Sequence, residues 1–389
     1  MIDDDRMARL ALSRVCEPGR WAVHSAVEAM GAVQVWDALR TGRVPAPMSA
    51  AAAAGAHLRA AGYEVEADLA RLVRVGARML VPGDAEWPQD RLDWIGDQRE
   101  APPLALFLRG PAELGALTER SVSVVGARAM SLYGQHVAGE LGLGIADRGW
   151  TVISGGAYGI DGAAHRGALH SQVGTTVAVL ACSVDIAYPR GHSDLLDRIA
   201  EVGLLVSEHP PGCAPTRSRF LVRNRLIAAL SVGTVVVEAA LRSGSLTTAR
   251  QARDLGRELM AVPGAVTSGM SAGCHLLLRS GAVCVTSAAE VLEQVGAIGE
   301  QLAPEQRGRA SPRDALSDTA RLVLDAVPVR SWAGPASVAK TAGVDVLSVQ
   351  RVLPPLLVAG LVEEGLSGWR LTALGAGRQA CSEVPGWPA

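Results

Sequence analysis

Three short loops that contain glycine each follow an apolar run of this 389-residue chain. They are Gly126–Arg128, Ser154–Asp161 and Leu241–Ala249. Glycine lets a ligand approach the backbone closely, and adjacent glycines can form a nest of N–H groups for an anion. A helix-length segment follows each loop, and the first N–H groups of a helix attract negative charge. The three loops together therefore predict a groove that binds phosphate groups.

A cluster of arginines lies between Glu208 and Glu238, an interval that holds no acidic residue. Phe220, one of only two phenylalanines in the chain, stands among them. Guanidinium forks can hold phosphates while an aromatic ring stacks on a base, so the pattern is typical of single-strand binding. The alternative is that Phe220 belongs to a buried stripe and the arginines form a solvated face. The four arginines are Arg217, Arg219, Arg223 and Arg225.

Sequence patterns that mark several enzyme classes do not occur in the chain. It has no Walker loop and no H-E-x-x-H. Ser154 stands where a dinucleotide-binding strand would end in an acidic residue, which disfavours a dinucleotide coenzyme. His165 and His170 supply two candidate metal ligands at most, whereas a metal site needs three that converge. We therefore predict neither a cofactor nor a metal ion, and we expect Asp161 to cap the helix that follows it.

The elements that must position these loops form an α/β pattern. Short apolar runs alternate with helix-length segments from Ser121 to about Val295, which predicts a parallel sheet with helices on both faces. In such sheets ligands bind beyond the carboxyl ends of the strands. A further strand is expected at 104–108. The predicted strands of the alternating region are 121–125, 150–153, 175–180, 203–206, 232–237, 258–262 and 282–285.

Changes in composition along the chain predict four segments. Residues 1–80 form a small helical domain, and 81–295 form the sheet domain. Residues 296–312 read as a flexible linker because they are rich in Gly, Pro, Gln and Arg and show no apolar period. Residues 313–389 form a tail domain, in which three helices and a hairpin predict a winged helix.

Composition and charge bound the function. The net charge of -2 gives no overall sign of a nucleic-acid binder, although a local basic patch can lie within that balance. Lys340 is the only lysine, so nearly every basic contact would be an arginine fork, which can bind phosphate with two parallel bonds. The six cysteines make no C-x-x-C pair, and no charge-free apolar run reaches membrane-spanning length. We therefore expect a cytoplasmic protein.

Several motifs resemble those of the DNA-processing protein A family, also called DprA or Smf. The resemblance covers roughly 80–295, and it implies an extended Rossmann-like domain flanked by an N-terminal helical SAM-like domain and a C-terminal winged helix. It also implies a homodimer that binds single-stranded DNA without catalysis and helps to load RecA recombinase during natural transformation. The motifs that carry it are Val124–Gly134, Ser154–His165, Thr176–Leu180, Phe220–Ile227 and Glu238–Ala249.

The resemblance assigns roles to individual residues. Arg128 would hold a phosphate and Phe220 would stack on or between bases. Arg217, Arg225 and Arg242 would supply further charge to the groove. Tyr158 stands where the family usually has an arginine, which should weaken phosphate binding there unless its ring stacks on a base. The residues expected to offer backbone or hydroxyl donors are Gly156, Ser243, Gly244 and Ser245.

Two points limit the resemblance. The alternative function is a Rossmann-like nucleotide or nucleoside phosphoribohydrolase, for which a pair among the carboxylates near the groove would act as acid and base. Those enzymes show P-G-G-x-G-T-x-x-E, and the corresponding 243–249 lacks the glutamate. In the tail, Pro354 and Pro355 fall in the helix expected to recognise DNA, where proline removes backbone donors and kinks the helix. A protein–protein or packing role is therefore an equal alternative for the tail.

Overall fold

A computed structural model describes residues 3–376 of the protein, apart from 94, 96–99, 298 and 305–311. The chain divides into two compact units, Met1–Pro304 and Glu305–Ala389. The helices of the first unit are α1 (Asp4–Val15), α2 (Trp21–Met30), α3 (Ala32–Arg40), α4 (Ala50–Ala60), α5 (Val65–Arg74), α6 (Gln89–Leu92), α7 (Leu114–Glu119), α8 (Leu132–Ala146), α9 (Ile160–Ala168), α10 (Ser193–Val202), α11 (Arg217–Ala229), α12 (Ser245–Asp254), α13 (Ala272–Arg279) and α14 (Ala288–Val295). Its strands are β1 (Ala77–Leu80), β2 (Leu106–Arg109), β3 (Ser121–Val125), β4 (Thr151–Ser154), β5 (Thr176–Val179), β6 (Leu204–Ser207), β7 (Gly233–Val236), β8 (Glu258–Ala261) and β9 (Val283–Cys284).

The described strands of the first unit form one nine-stranded sheet in the order β1-β2-β6-β5-β4-β3-β7-β8-β9. The pairs from β6 to β9 are parallel, and β1 and β2 join that edge antiparallel. The predicted parallel sheet is therefore confirmed, and every predicted strand is present within one or two residues of its expected bounds. The sequence did not predict β1, which lies inside the segment expected to be helical.

Burial on both faces explains why the parallel strands read as continuous apolar runs. All residues of β3, β4, β5, β6 and β7 are buried. Helices α8, α9 and α14 cover one face with residues such as Leu141 and Val291. Helices α11, α12 and α13 cover the other with residues such as Leu226 and Leu255. Serine side chains begin several of these helices, and the Ser131 hydroxyl accepts the N–H of Gly134 at the start of α8.

The N-terminal helices and the sheet belong to the same compact unit. Apolar residues from α1, α2, α3 and α4 form a separate small core that includes Leu12, Val35 and Leu39. Strand β1 continues this segment into the sheet through its pairing with β2. N-terminal helices are thus shown, whereas the SAM-like assignment and the boundaries 1–80 and 81–295 stay predictions.

The second unit consists, in its described part, of three helices and a hairpin. These are α15 (Asp318–Ala326), α16 (Pro335–Ala342), α17 (Val346–Val358), β10 (Val362–Gly365) and β11 (Gly368–Leu371). They share a core with Trp369 and Leu353. Helix α17 continues through Pro354 and Pro355, so the expected interruption does not end the helix. The winged-helix assignment stays a prediction, and the expected linker 296–312 lies partly outside the described residues.

None of the helices in the described ranges is both long enough and apolar enough to cross a bilayer.

Candidate nucleic-acid interface

The strand order of the sheet reverses at β3, and this reversal positions the candidate site. Strand β3 lies between β4 and β7, while α8 and α12, which follow β3 and β7, pack on opposite faces. A crevice opens where two such connections diverge, and open α/β sheets bind ligands there. Because Arg128 follows β3 and Arg242 follows β7, both residues lie at this crevice.

A cleft of about 530 Å³ occupies the crevice. We call it the switch-point cleft. The loop after β3 forms one wall, the loop after β7 forms another, and α11 forms the third. The structure therefore brings residues of all three predicted glycine loops, including Ala157 and Asp161 of the second, together with the arginine-bearing helix α11. The residues that line the cleft include Arg128, Phe220, Asn224, Arg242, Ser243, Gly244 and Ser245.

Arg128 and Phe220 form the centre of the cleft. The guanidinium carbon of Arg128 lies 4.8 Å from the centroid of the Phe220 ring, within the range of a cation–π contact. Arg128 is exposed, and no carboxylate of the described chain lies within ion-pair distance of it. The Phe220 ring also contacts Tyr188, at 5.6 Å between centroids. A charged fork and an aromatic face are thus presented side by side, the combination that holds a phosphate next to a stacked base.

A second, smaller pocket of about 50 Å³ shares Arg128 and Phe220 with the cleft. We call it the aromatic pocket, since Tyr158, Tyr188 and Phe220 all line it. The Tyr158 hydroxyl accepts the N–H of Gly191 at 3.2 Å, and its ring meets His192 edge-on at 4.8 Å. Tyr158 is therefore held in place while about half of it stays exposed. It can offer a stacking surface, although it lacks the charge that an arginine would bring.

The loop after β7 supplies hydroxyl groups on the other wall. The Ser243 and Ser245 hydroxyls lie 2.7 Å apart, and the Ser243 oxygen accepts the N–H of Ser245 at 3.4 Å. A side-chain carbon built on Gly244 would meet nothing within 4 Å, so the backbone there is open to a ligand. Arg242 is exposed, and it has no carboxylate within ion-pair distance among the residues described.

The two other glycine loops are occupied by carboxylates of the chain itself. At the start of α8, Glu238 accepts the N–H and the hydroxyl of Ser131, at 2.9 and 2.5 Å. In the second loop, Asp161 accepts the N–H of Gly155 at 3.2 Å. The expectation that these sites hold phosphate through backbone N–H groups is therefore corrected. Asp161 is also not the cap residue of α9, which is Gly159.

Arg223 lies beneath Phe220 and supports the site from inside. It donates to the carbonyl of Gly155 at 2.8 Å and to that of Val179. Burial lowers the pKa of Arg223 to about 10, while the nearby Asp161 carboxylate acts in the opposite direction. Burial likewise raises the pKa of Asp161, and Arg223 opposes that shift. Arg223 therefore ties α11 to the second glycine loop and does not present its charge to a ligand.

The opposite face of α11 faces the N-terminal helices. Arg219 forms a two-bond contact with Glu17, at 2.8 and 3.1 Å. Arg225 forms a buried pair with Glu208, at 2.6 and 2.7 Å, and its side chain is only 3% exposed. The prediction that Arg225 contacts DNA is corrected, because its guanidinium is committed to Glu208 and to the carbonyl of Ala101.

Two further predicted residues lie beside the cleft. Arg217 is exposed at the first turn of α11, but it is not part of the cleft lining. Gly156 is buried, with a φ of +66° that favours glycine, and its carbonyl accepts from His192 at 3.0 Å. The backbone of Gly156 therefore positions His192 behind Tyr158, and it is not at the surface of the cleft.

A family model described as DNA recombination-mediator protein A matches residues 78–296. The chain belongs to the DNA recombination-mediator protein A family. It is 46% identical over 386 residues to the putative DNA processing protein DprA of Mycobacterium tuberculosis, with 98% of each chain covered. It is also 43% identical over 217 residues to protein Smf of Escherichia coli, which covers 56% of each chain.

The fold agrees with a solved structure of the same family. The crystal structure of DprA from Streptococcus pneumoniae superposes with a TM-score of 0.62 at 31% identity, covering 76% of this chain and 99% of that one. The family resemblance drawn from the motifs is therefore confirmed, together with a Rossmann-like domain preceded by helices.

Sequence reasoning missed several residues that line the cleft and the aromatic pocket. Asn224 and Leu221 line the cleft without having been predicted, and Tyr188 lines the aromatic pocket. Asn224 could have been found from its spacing, because it stands four residues after Phe220 and so shares a helix face with it. The sequence around Tyr188 gives no direct sign of its contact with Phe220.

His165 lies inside the protein and away from the cleft. It is fully buried, its Nδ1 lies 2.7 Å from the Thr176 hydroxyl, and its Nε2 has no partner. Burial, with smaller contributions from His192 and Arg166, lowers the pKa of His165 from 6.5 to about 3. No group of three or more metal-binding side chains occurs in the described part of the chain.

The depressed pKa of His165 predicts a loss of stability in acid. In the unfolded chain His165 is protonated below about pH 6.5, whereas in the folded protein it stays neutral down to about pH 3. The free energy of unfolding therefore decreases as the pH falls from 6.5 towards 3. The loss amounts to at most about 1.4 kcal/mol per pH unit. Urea unfolding from pH 7 to pH 4 should show a smaller decrease for His165→Gln than for the parent. The exposed His170→Gln variant is the control; an equal decrease in all three proteins would contradict the prediction.

Proposed function

We propose that this protein binds single-stranded DNA in the switch-point cleft and acts as a recombination mediator without catalysis. The observation that carries the proposal is the exposed Arg128 fork stacked against Phe220, with Arg242 and the serine loop on the opposite wall. The forks suit phosphates, the rings suit bases, and neither group reads base edges. Family membership supports the same reading.

The proposal extends to partners. A protein of this family that holds single strands would protect incoming DNA, act as a homodimer and help to load RecA during natural transformation. The expected site of action is the cytoplasm. Sedimentation of the protein with and without oligo-dT tests the dimer, and assembly of RecA on a strand coated with single-strand-binding protein tests the loading.

Two carboxylates near the cleft favour binding over hydrolysis. Glu238 accepts from Ser131, and Asp161 is buried against Gly155 and Arg223. A glycosyl hydrolase needs two carboxyl groups that reach the sugar, whereas both of these are held by the protein. Release of free base from nucleoside monophosphates at catalytic rates would favour the phosphoribohydrolase instead.

The binding should be tolerant of sequence and steeply dependent on salt. Each phosphate neutralised on a single strand contributes about -0.7 to the slope of log affinity against log salt. Titration of labelled oligo-dT and of a mixed-sequence strand from low to high salt measures this slope. Similar affinity for both strands with a slope of about -1.4 or steeper, which corresponds to two or more phosphates, is expected. A flat response would contradict single-strand binding in the cleft.

A further inference from the structure

A second pair of arginines lies next to the residues that contact Tyr158. Arg166 is on α9, and Arg190 begins the short turn that precedes α10. Both are exposed. Within the described residues, no carboxylate lies within ion-pair distance of either side chain.

Contacts through Tyr158 connect these arginines to the aromatic pocket. Gly191, the residue after Arg190, donates its N–H to the Tyr158 hydroxyl. His192 meets the Tyr158 ring edge-on. A carbon built on Gly162 would meet the His192 ring at 2.5 Å and the Arg166 guanidinium at 3.2 Å, so these two groups are neighbours.

The order of these groups along the surface has a clear chemical meaning. Arg242 and Arg128 line the switch-point cleft, Arg128 and Tyr158 line the aromatic pocket, and Tyr158 in turn contacts the residues next to Arg166 and Arg190. A single strand requires both charged and aromatic contacts along its length, because its charged phosphates are joined by sugars that carry flat bases. Solubility alone does not explain an aromatic side chain that is fixed by contacts with Gly191 and His192 near two sets of arginines without carboxylate partners among the described residues.

We propose that the path of single-stranded DNA continues over Tyr158 and that Arg166 and Arg190 bind the phosphates beyond the aromatic pocket. This extension rests on the proposed function of the switch-point cleft. The ligand is the sugar-phosphate backbone of the same strand, and Tyr158 contacts the base between the two sets of arginines. Arg166 and Arg190 would thereby supply the positive charge that Tyr158 lacks in comparison with an arginine at its position.

Oligonucleotide length separates the extension from the cleft. Because single-strand sites span about 4–16 nucleotides, oligo-dT of about 5 and about 20 nucleotides should fill the cleft alone and the whole path, respectively. The variant is the double substitution Arg166→Gln with Arg190→Gln. The control is Arg148→Gln, an exposed arginine at the end of α8 that lies at the amino ends of the strands.

The double variant should bind the short oligonucleotide like the parent. For the long oligonucleotide, the loss of two phosphate contacts should make the slope of log affinity against log salt shallower by about 1.4. If parent and variant bind equally at about 1 M salt, each lost contact makes the variant roughly fivefold weaker than the parent at about 0.1 M salt. Arg148→Gln should change neither. Equal affinity of double variant and parent for the long strand would overturn the extension, as would equal losses at both lengths, which would indicate a disturbed Tyr158.

The same titration distinguishes the two proposals. If Arg128→Ala weakens both lengths while the double variant does not, the extension fails and the cleft stands. If the parent binds neither oligonucleotide, the proposed function fails and the extension fails with it. Thermal unfolding of each variant confirms that the substitutions, both at exposed positions, leave the fold intact.

Discussion

Replacing Phe220 by alanine is expected to reduce the affinity for oligo-dT about 5- to 150-fold, because one stacked base contributes about 1–3 kcal/mol. The ring contacts both Arg128 and Tyr188, so its loss removes the stacking surface that the cleft and the aromatic pocket share. The slope of affinity against salt should stay unchanged, since no phosphate contact is removed. Fluorescence anisotropy at several salt concentrations measures both quantities.

Arg128→Ala is the matched variant for charge. It should weaken binding as well, but it should also reduce the salt slope by about 0.7, the contribution of one phosphate. The contrast between the two variants therefore identifies which side chain contacts a base and which contacts a phosphate. Affinities for both variants equal to that of the parent would show that single strands do not bind in the switch-point cleft.

The sheet could be predicted from the sequence because its strands are buried on both faces. Such strands are short β-branched runs between helix-length segments, and the runs around Val124 and Val235 were located almost to the residue. Strand β1 was missed because it is only four residues long, mostly half-buried, and includes the charged Arg78. Its identity as a strand comes from pairing with β2, a contact that local sequence does not encode.

The chemistry of the loops could be predicted only in part. Glycine spacing correctly indicated backbone N–H groups that bind an anion, but at the start of α8 the anion is Glu238, more than a hundred residues away. The arginines of α11 divide in the same way. Arg219, Val222 and Arg225 recur every three residues and contact the loop between α1 and α2 and the segment before β2. Phe220 and Asn224 face the cleft instead. Helical period alone separates the two faces, but only tertiary contacts show which one meets solvent.

Arg225→Met is expected to destabilise the protein by about 3–5 kcal/mol, since removing one partner of a buried ion pair leaves the other charge uncompensated. Glu208 is the charge left behind, with a side chain only 4% exposed. Glu100, 3.7 Å from Arg225, would lose its neighbour as well. A loss of this size is a large share of the roughly 5–15 kcal/mol that stabilises a typical domain. Urea unfolding measures it directly.

Adding Glu208→Leu to Arg225→Met gives the decisive comparison. The double variant removes both charges, so it should recover a substantial part of the stability that the single variant loses. Each variant that remains folded at low temperature should bind oligo-dT like the parent, with an unchanged salt slope, because the Arg225 guanidinium points into the protein. A variant that keeps its stability but loses affinity for oligo-dT would contradict this assignment. It would indicate that Arg225 contacts a phosphate, because binding would be lost without any loss of stability.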